Sequence, residues 1–234
     1  MKLVTFYNLR EYQSYTKIFQ LQQKLHVLRV NDRIGDIILL LEHSPVITIG
    51  RTPGADAHLL VDPSSLSSLG IDLCWTNRGG DITYHGPGQL VVYFIILLVE
   101  QDIRWFVKNL EKSVIELLGK YGIQGHCKPA YPGVWVKEEK ICALGMYVRK
   151  WITMHGIALN VSLDCSHFNV IVPCGIQDKG VTSLQKIYQE NHLSYHFTME
   201  QIKLDYLNNF SDTFGVDIAE GEQQRLWQYL EVSS

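Results

Sequence analysis

The 234-residue chain has no dense lysine or arginine block, no close cysteine pairs, no internal repeats and no low-complexity tract. Each absence excludes something. Without a basic block, and with a formal charge of -3, wholesale nucleic-acid binding is not expected. The longest apolar run, Leu90 to Val99, is about half of what a membrane-spanning helix needs, so no membrane partner is expected. Five scattered cysteines, Cys74, Cys127, Cys142, Cys165 and Cys174, do not form the framework of a secreted disulfide scaffold. Together with the lack of an apolar signal-peptide core, they place the chain in a reducing cytoplasm. No Walker-type glycine loop announces a nucleotide site. His155, Cys165, His167 and Cys174 are suitable zinc ligands by type, but their spacing matches no tight ligand pair, so no metal is expected.

What is present is a core-forming composition, 46% hydrophobic and 19% charged, consistent with one mixed α/β domain spanning 1–234. The stretch from Arg78 to Val99 organises it. Its first half carries Gly79, Gly80 and Gly86-Pro87-Gly88, which let backbone approach a ligand closely or simply turn a glycine-rich hairpin. Its second half, from Leu90, reads as a strand buried on both faces. Elsewhere, apolar spacing predicts a helix over Tyr12 to Leu28, strands at Ile37 to Leu41 and Val46 to Ile49, and a long polar loop opening at Gly50-Arg51-Thr52-Pro53-Gly54 that serves as a lid or as an ordinary connection. Leu73 to Thr76 is a short strand, and Asp81 to His85 is extended. Asp102 caps a helix that ends at Gly122. Gly133 to Val136 and Ile141 to Val148 form a hairpin around Lys137-Glu138-Glu139-Lys140, and Ile152 to Val161 is its neighbour. Thr198 and Gln201 open a helical C-terminal tail over about 198–230.

Two residues invite chemistry. Cys174, held between Pro173 and Gly175, is either presented to a ligand or packed away as a small hydrophobe. Lys140 follows Lys137, Glu138 and Glu139 and by its neighbours is solvated turn charge, unless the adjoining strand draws it inward.

The motifs taken together narrow the choice. Arg78-Gly-Gly-Asp-Ile-Thr-Tyr-His85, Gly86-Pro-Gly-Gln89, Gly133-Val-Trp-Val136, Lys140-Ile-Cys-Ala-Leu-Gly145, His155-Gly-Ile-Ala-Leu-Asn160 and Val172-Pro-Cys-Gly175 resemble, in content and order, the lipoyl(octanoyl) transferase family. The resemblance covers about 37–184. Phe94 and Pro132 depart from the family pattern, both away from the reacting groups. It implies a mixed sheet flanked by helices, as in the catalytic domain of biotin and lipoate protein ligases, and octanoyl transfer from octanoyl-acyl carrier protein to a lysine of a lipoyl domain, without ATP or metal. The acceptors it implies are the E2 subunits of 2-oxoacid dehydrogenases and the H protein of glycine cleavage. On this resemblance Cys174 is the acyl-thioester nucleophile and Lys140 its partner lysine, expected to act as acid and then base, and the acyl-binding residues are Arg78, Gly79, Gly80, Asp81, Ile82, Thr83, Tyr84 and His85, then Ala143, Leu144 and Gly145, then Gly156, Ile157 and Ala158. His85 either hydrogen-bonds near the reacting carbonyl or holds the loop. A basic rim of Arg51, Arg78, Arg149 and Lys150 is expected to receive the acidic carriers. Two alternatives stand beside this reading: an ATP-dependent ligase of the same fold, and a non-catalytic scaffold for carrier proteins.

Overall fold

A computed structural model describes residues 2–176, 179–194 and 197–231. In chain order the elements are β1 (Lys2–Gln13), α1 (Tyr15–Val30), β2 (Asp36–His43), β3 (Val46–Ile49), α2 (Pro63–Ser68), β4 (Asp72–Trp75), β5 (Ile82–His85), β6 (Gln89–Ile95) and α3 (Ile103–Lys120). They continue with β7 (His126–Lys128), β8 (Tyr131–Val136), β9 (Glu139–Arg149), β10 (Ile152–Asn160), β11 (Gly180–Val181), α4 (Leu184–Glu190), α5 (Met199–Phe214), β12 (Val216–Glu220) and α6 (Gln223–Glu231). Single 3-10 turns lie at Ala55–His58, Cys165–Val170 and Pro173–Gly175.

The large sheet runs β12-β1-β2-β6-β10-β9-β8-β7, with β11 added beside β9. β1 lies parallel to both β12 and β2, whereas β2, β6, β10, β9, β8 and β7 alternate as antiparallel neighbours. β6 sits at the centre because both of its faces are apolar. Leu90, Val92 and Phe94 join the cluster under α3 and α5, and Val91, Tyr93 and Ile95 join the one under α1. α3 offers Phe106, Leu110, Val114, Leu117 and Leu118 to the first cluster at helical spacing, starts on the Asp102 carboxylate, which accepts from Trp105 N–H at 2.9 Å, and stops before Gly122 at φ +68°. A smaller sheet, β4-β3-β5, has its own core of Ile47, Ile49, Ile82, Tyr84, Leu163 and Phe168.

The sequence reading needs correction at both ends. The helix expected from Tyr12 starts at Tyr15, and the residues before it form β1, which sends Val4 and Phe6 to the first cluster and Tyr7 and Leu9 to the second and has a register shift between Asn8 and Tyr12. The C-terminal segment is not a purely helical tail. After α5, Gly215 takes φ +61° and turns the chain into β12, which pairs in register with β1 from Lys2↔Val216 to Phe6↔Glu220. The strand expected over Leu90 to Val99 ends at Ile95, and the charged turn of the β8–β9 hairpin shortens to Lys137-Glu138, which leaves Glu139 and Lys140 inside β9.

Candidate active site

The loop between β4 and β5 is suspended from two sheets at once. Arg78 sends its guanidinium back under β3, where Nη2 donates to Thr48 O at 2.7 Å and to Thr48 Oγ1 at 2.8 Å, and Gly79 N–H donates to Met146 O on β9 at 2.8 Å. Close approach of this loop to β9 and to the end of β3 depends on two small residues. A Cβ on Gly145 would lie 3.1 Å from Gly79 O, and one on Gly50 would lie 2.2 Å from Gly80 O. Across the β9–β10 ladder Gly145 faces Gly156, whose own missing Cβ leaves room for Val92 O and the Phe94 ring of β6.

Between this loop and the β9–β10 face lies a cavity of about 410 Å³, within the size range of ligand pockets. Of the residues singled out from the sequence, Arg78, Gly79, Gly80, Asp81, Thr83, His85, Lys140, Ala143, Leu144, Gly145, Gly156, Ile157, Ala158 and Cys174 line it. Ile82 and Tyr84 do not. They alternate with Thr83 and His85 on β5, so the period of two turns them into the core of the small sheet. Lining residues that sequence reasoning missed include Tyr15, Tyr93, His155 and Ile176. His155 was legible as a zinc-ligand type and as the first residue of a family motif but not as a lining residue, and Tyr15 only as a helix residue, because what brings Tyr15 to the cavity is the packing of α1 across β10 and β6.

At one wall Lys140 Nζ donates to Cys174 Sγ at 3.2 Å. Lys140 is thus a buried residue of β9, opposite Trp135 of β8 and 5.0 Å above its ring, and is not solvated turn charge. Cys174 adopts φ +58°, ψ +19°, a left-handed backbone that costs a residue with a Cβ about 1–2 kcal/mol. Gly175 follows at φ +68°. The turn closes with Gly175 N–H donating to Val172 O and Ile176 N–H to Pro173 O, both at 3.0 Å. The other cysteines have no such setting. Burial pushes the Cys142 thiol up to about 12, and burial with Glu111 pushes Cys127 up to about 11.

The far wall is polar but uncharged apart from Arg78. His155 is pushed down to about 3 by burial and then by Arg78, so it is a neutral ring whose Nε2–H donates to Asn77 Oδ1 at 2.6 Å. His85 is driven well below its ordinary value by burial first and His43 second. Its Nδ1–H donates to Gln89 Oε1 at 2.7 Å, and Gln89 Nε2 donates to Asn160 Oδ1 at 2.9 Å. Asn160 Nδ2 in turn reaches Thr182 O, and Thr182 N–H bonds Lys140 O. His85 therefore serves the loop and the strand beneath it. Arg78, being buried, is no part of an outer rim. Arg149 and Lys150 lie at the opposite end of β9 from Lys140, about 30 Å along the strand at 3.3–3.4 Å per residue. Of the four proposed rim residues Arg78 lines the cavity from within, and only Arg51, next to the lining residue Thr52, is both exposed and near it.

Residues 14–211 match the family described as the lipoyl protein ligase A/B catalytic domain. The chain is 42% identical over 211 residues to an octanoyltransferase of Clostridium kluyveri, covering 89% of this chain and 88% of that protein. An octanoyltransferase of Dictyoglomus thermophilum is 43% identical over 217 residues, with 93% and 90% covered. In fold the chain is similar to a crystal structure of lipoate-protein ligase A bound with ATP, at TM-score 0.75 and 16% identity over 97% of this chain and 93% of that one. It is likewise similar to a putative lipoate protein ligase from T. acidophilum with bound lipoic acid, at TM-score 0.72 and 15% identity over 98% and 93%.

Proposed function

The chain belongs to the lipoyl protein ligase A/B catalytic-domain family, and from that premise we propose that it carries an octanoyl group from an acyl carrier protein thioester to a lysine of a lipoyl domain by way of Cys174. Its octanoyltransferase relatives and its family together give it an acyltransferase role in protein lipoylation. The route through Cys174 rests on one observation, the 3.2 Å contact between Lys140 Nζ and Cys174 Sγ at the wall of a cavity lined by small residues.

In the first half-reaction the Cys174 thiolate, hydrogen-bonded by the Lys140 ammonium, attacks the thioester carbonyl carbon. A bond forms from Cys174 Sγ to that carbon, and the bond from the carbon to the pantetheine sulfur breaks. Lys140 gives its proton to the departing thiolate, which leaves octanoyl-Cys174 and a neutral amine. The second half-reaction uses that amine. The acceptor lysine arrives mostly as ammonium, only about one molecule in several thousand being neutral at pH 7 when its pKa is near 10.4, and Lys140 takes its proton. The freed amine attacks the octanoyl carbonyl, the bond from that carbon to Cys174 Sγ breaks, the second amine proton passes to solvent as the amide forms, and Cys174 leaves as thiolate beside a Lys140 that is again protonated. Thioester exchange is near balance and amide formation is downhill, so the cycle calls for neither nucleotide nor metal. Gly175 N–H is engaged by Val172 O and so is not placed to meet the oxyanion of the tetrahedral intermediate.

Mixing the protein with octanoyl-carrier protein should add one octanoyl group to the intact mass, removable by a lipoyl domain and absent in Cys174→Ala. The ligase reading draws on the shared fold. Pyrophosphate release from ATP with free octanoate, in the absence of carrier protein, would replace the transferase proposal with it. Full biological activity in Cys174→Ala would support the scaffold reading.

A further inference from the structure

One residue outside the cavity touches the nucleophile turn from both sides. His58 ends the first 3-10 turn, within the segment that follows the polar loop at Gly50–Gly54. Its carbonyl accepts from Val172 N–H at 2.8 Å, two positions before Cys174, and the chain on either side of this contact is held by the Leu59↔Ile171 bridge. Its ring lies on the other side of the turn. A Cβ on Gly175 would be 2.8 Å from His58 Cε1 and 3.3 Å from Asp81 Oδ2, so the imidazole and the carboxylate fill the space that only a glycine leaves open. The ring is fixed in turn. His58 Nδ1–H donates to Asp81 Oδ1 at 2.7 Å, and the same oxygen accepts from Ile82 N–H at 2.7 Å, which ties the pair to the first residue of β5. His58 is not among the residues lining the cavity, and its side chain is about one-third exposed.

We propose that the His58–Asp81 pair is a positioning device for acyl transfer: gripping the turn ahead of Cys174 and behind it, the pair imposes the left-handed backbone at Cys174 and so holds Sγ against Lys140 Nζ. A left-handed residue with a Cβ persists only where its surroundings over-determine it. The turn's own two hydrogen bonds close a loop but leave Cys174 free to relax, whereas a ring wedged against Gly175 and a carbonyl bonded to Val172 fix both of its flanks. His58 touches neither reactant, so it acts through Cys174. This inference rests on the thioester route proposed above.

The test reads the Cys174 thiol directly and needs no acyl donor. Alkylation of Cys174 by iodoacetamide, followed by peptide mass mapping, should slow about tenfold in His58→Ala and in Lys140→Ala, a tenfold change corresponding to ~1.4 kcal/mol. The double variant should be no slower than the slower single one, because the two residues act on one contact. His58→Asn, whose amide N–H replaces Nδ1–H toward Asp81, should recover most of the loss. With octanoyl-carrier protein, His58→Ala should lower the rate of octanoyl-enzyme formation by a similar factor and leave the KM for the carrier little changed. Wild-type alkylation in His58→Ala, multiplicative losses in the double variant, or an asparagine variant as slow as alanine would each overturn the proposal. Should the alanine variant fail to fold, His58→Leu keeps the bulk and removes the hydrogen bond, with the same expectations. If wild-type protein is alkylated at Cys174 as described but never acylated by the carrier, the thioester route fails while the positioning role stands on the alkylation series.

Discussion

Lys140 Nζ sits between the Cys174 sulfur and the face of the Trp135 ring, and on the proposed route one small cation would serve both as hydrogen-bond donor and, once its proton is given away, as base. Lys140→Arg separates these tasks. Arginine stays charged, so the octanoyl-enzyme should form in this variant and persist when a lipoyl domain is added, visible as an unchanging octanoyl adduct in intact-mass spectra. Turnover at the wild-type rate would withdraw the base role from Lys140. Cys174→Ser should leave little activity, because a hydroxyl without a strong base is a far weaker nucleophile. The residue scale also explains an error of sequence reading. A lysine in a Lys-Glu-Glu-Lys run looks solvated, and only the two-residue length of the turn, set by the pairing of Val136 with Glu139, moves it into the strand.

Among the elements, those that advertise themselves locally were legible. The capping carboxylate of Asp102, the apolar stripe of α3 and the doubly buried β6 are properties of contiguous sequence. β1 and β12 were not legible, because β12 is a strand only through β1, more than 200 residues away in the chain, and β1 only through β12 and β2. The cavity was legible as a set of motifs but not as a wall: β5 carries four family-matched residues, and alternation hands two of them to the other side. Two substitutions test these elements. Asp102→Ala removes the α3 cap and should cost about 1 kcal/mol in urea denaturation, with the rate of octanoyl transfer unchanged. Gly156→Ala places a methyl 2.1 Å from Val92 O and should destabilise by about 1–3 kcal/mol. Because Gly156 also lines the cavity, acylation of Cys174 should slow with it, a loss that Asp102→Ala does not share.

For the molecule as a whole, buried imidazoles set the acid limit. Burial pushes His43 down to about 4, and burial with Arg78 pushes His155 down to about 3, from an ordinary value near 6.5. Above pH 6.5 both are neutral whether the chain is folded or unfolded. Below it the unfolded chain binds protons that the native one refuses, so stability is lost as pH falls from 6.5 toward the folded values, by at most ~1.4 kcal/mol per pH unit for each ring. The urea midpoint should fall steadily between pH 6.5 and 4.5, and His43→Gln should flatten part of that slope. A midpoint constant over this range would show that these rings protonate without unfolding.

The cavity lies between two sheets that keep separate cores and meet through ring contacts such as His43 with His85 and hydrogen bonds such as Gly79 to Met146. In deuterated buffer such a seam becomes a clock. The amides of β3 and β5 should exchange together and sooner than those of β6 and β10, since the small sheet can lift without disturbing the layered core beneath it. An octanoyl chain lodged in the seam would slow the first group and leave the second untouched, so that a substrate too small to alter the fold would still be registered in how long one edge of it stays closed.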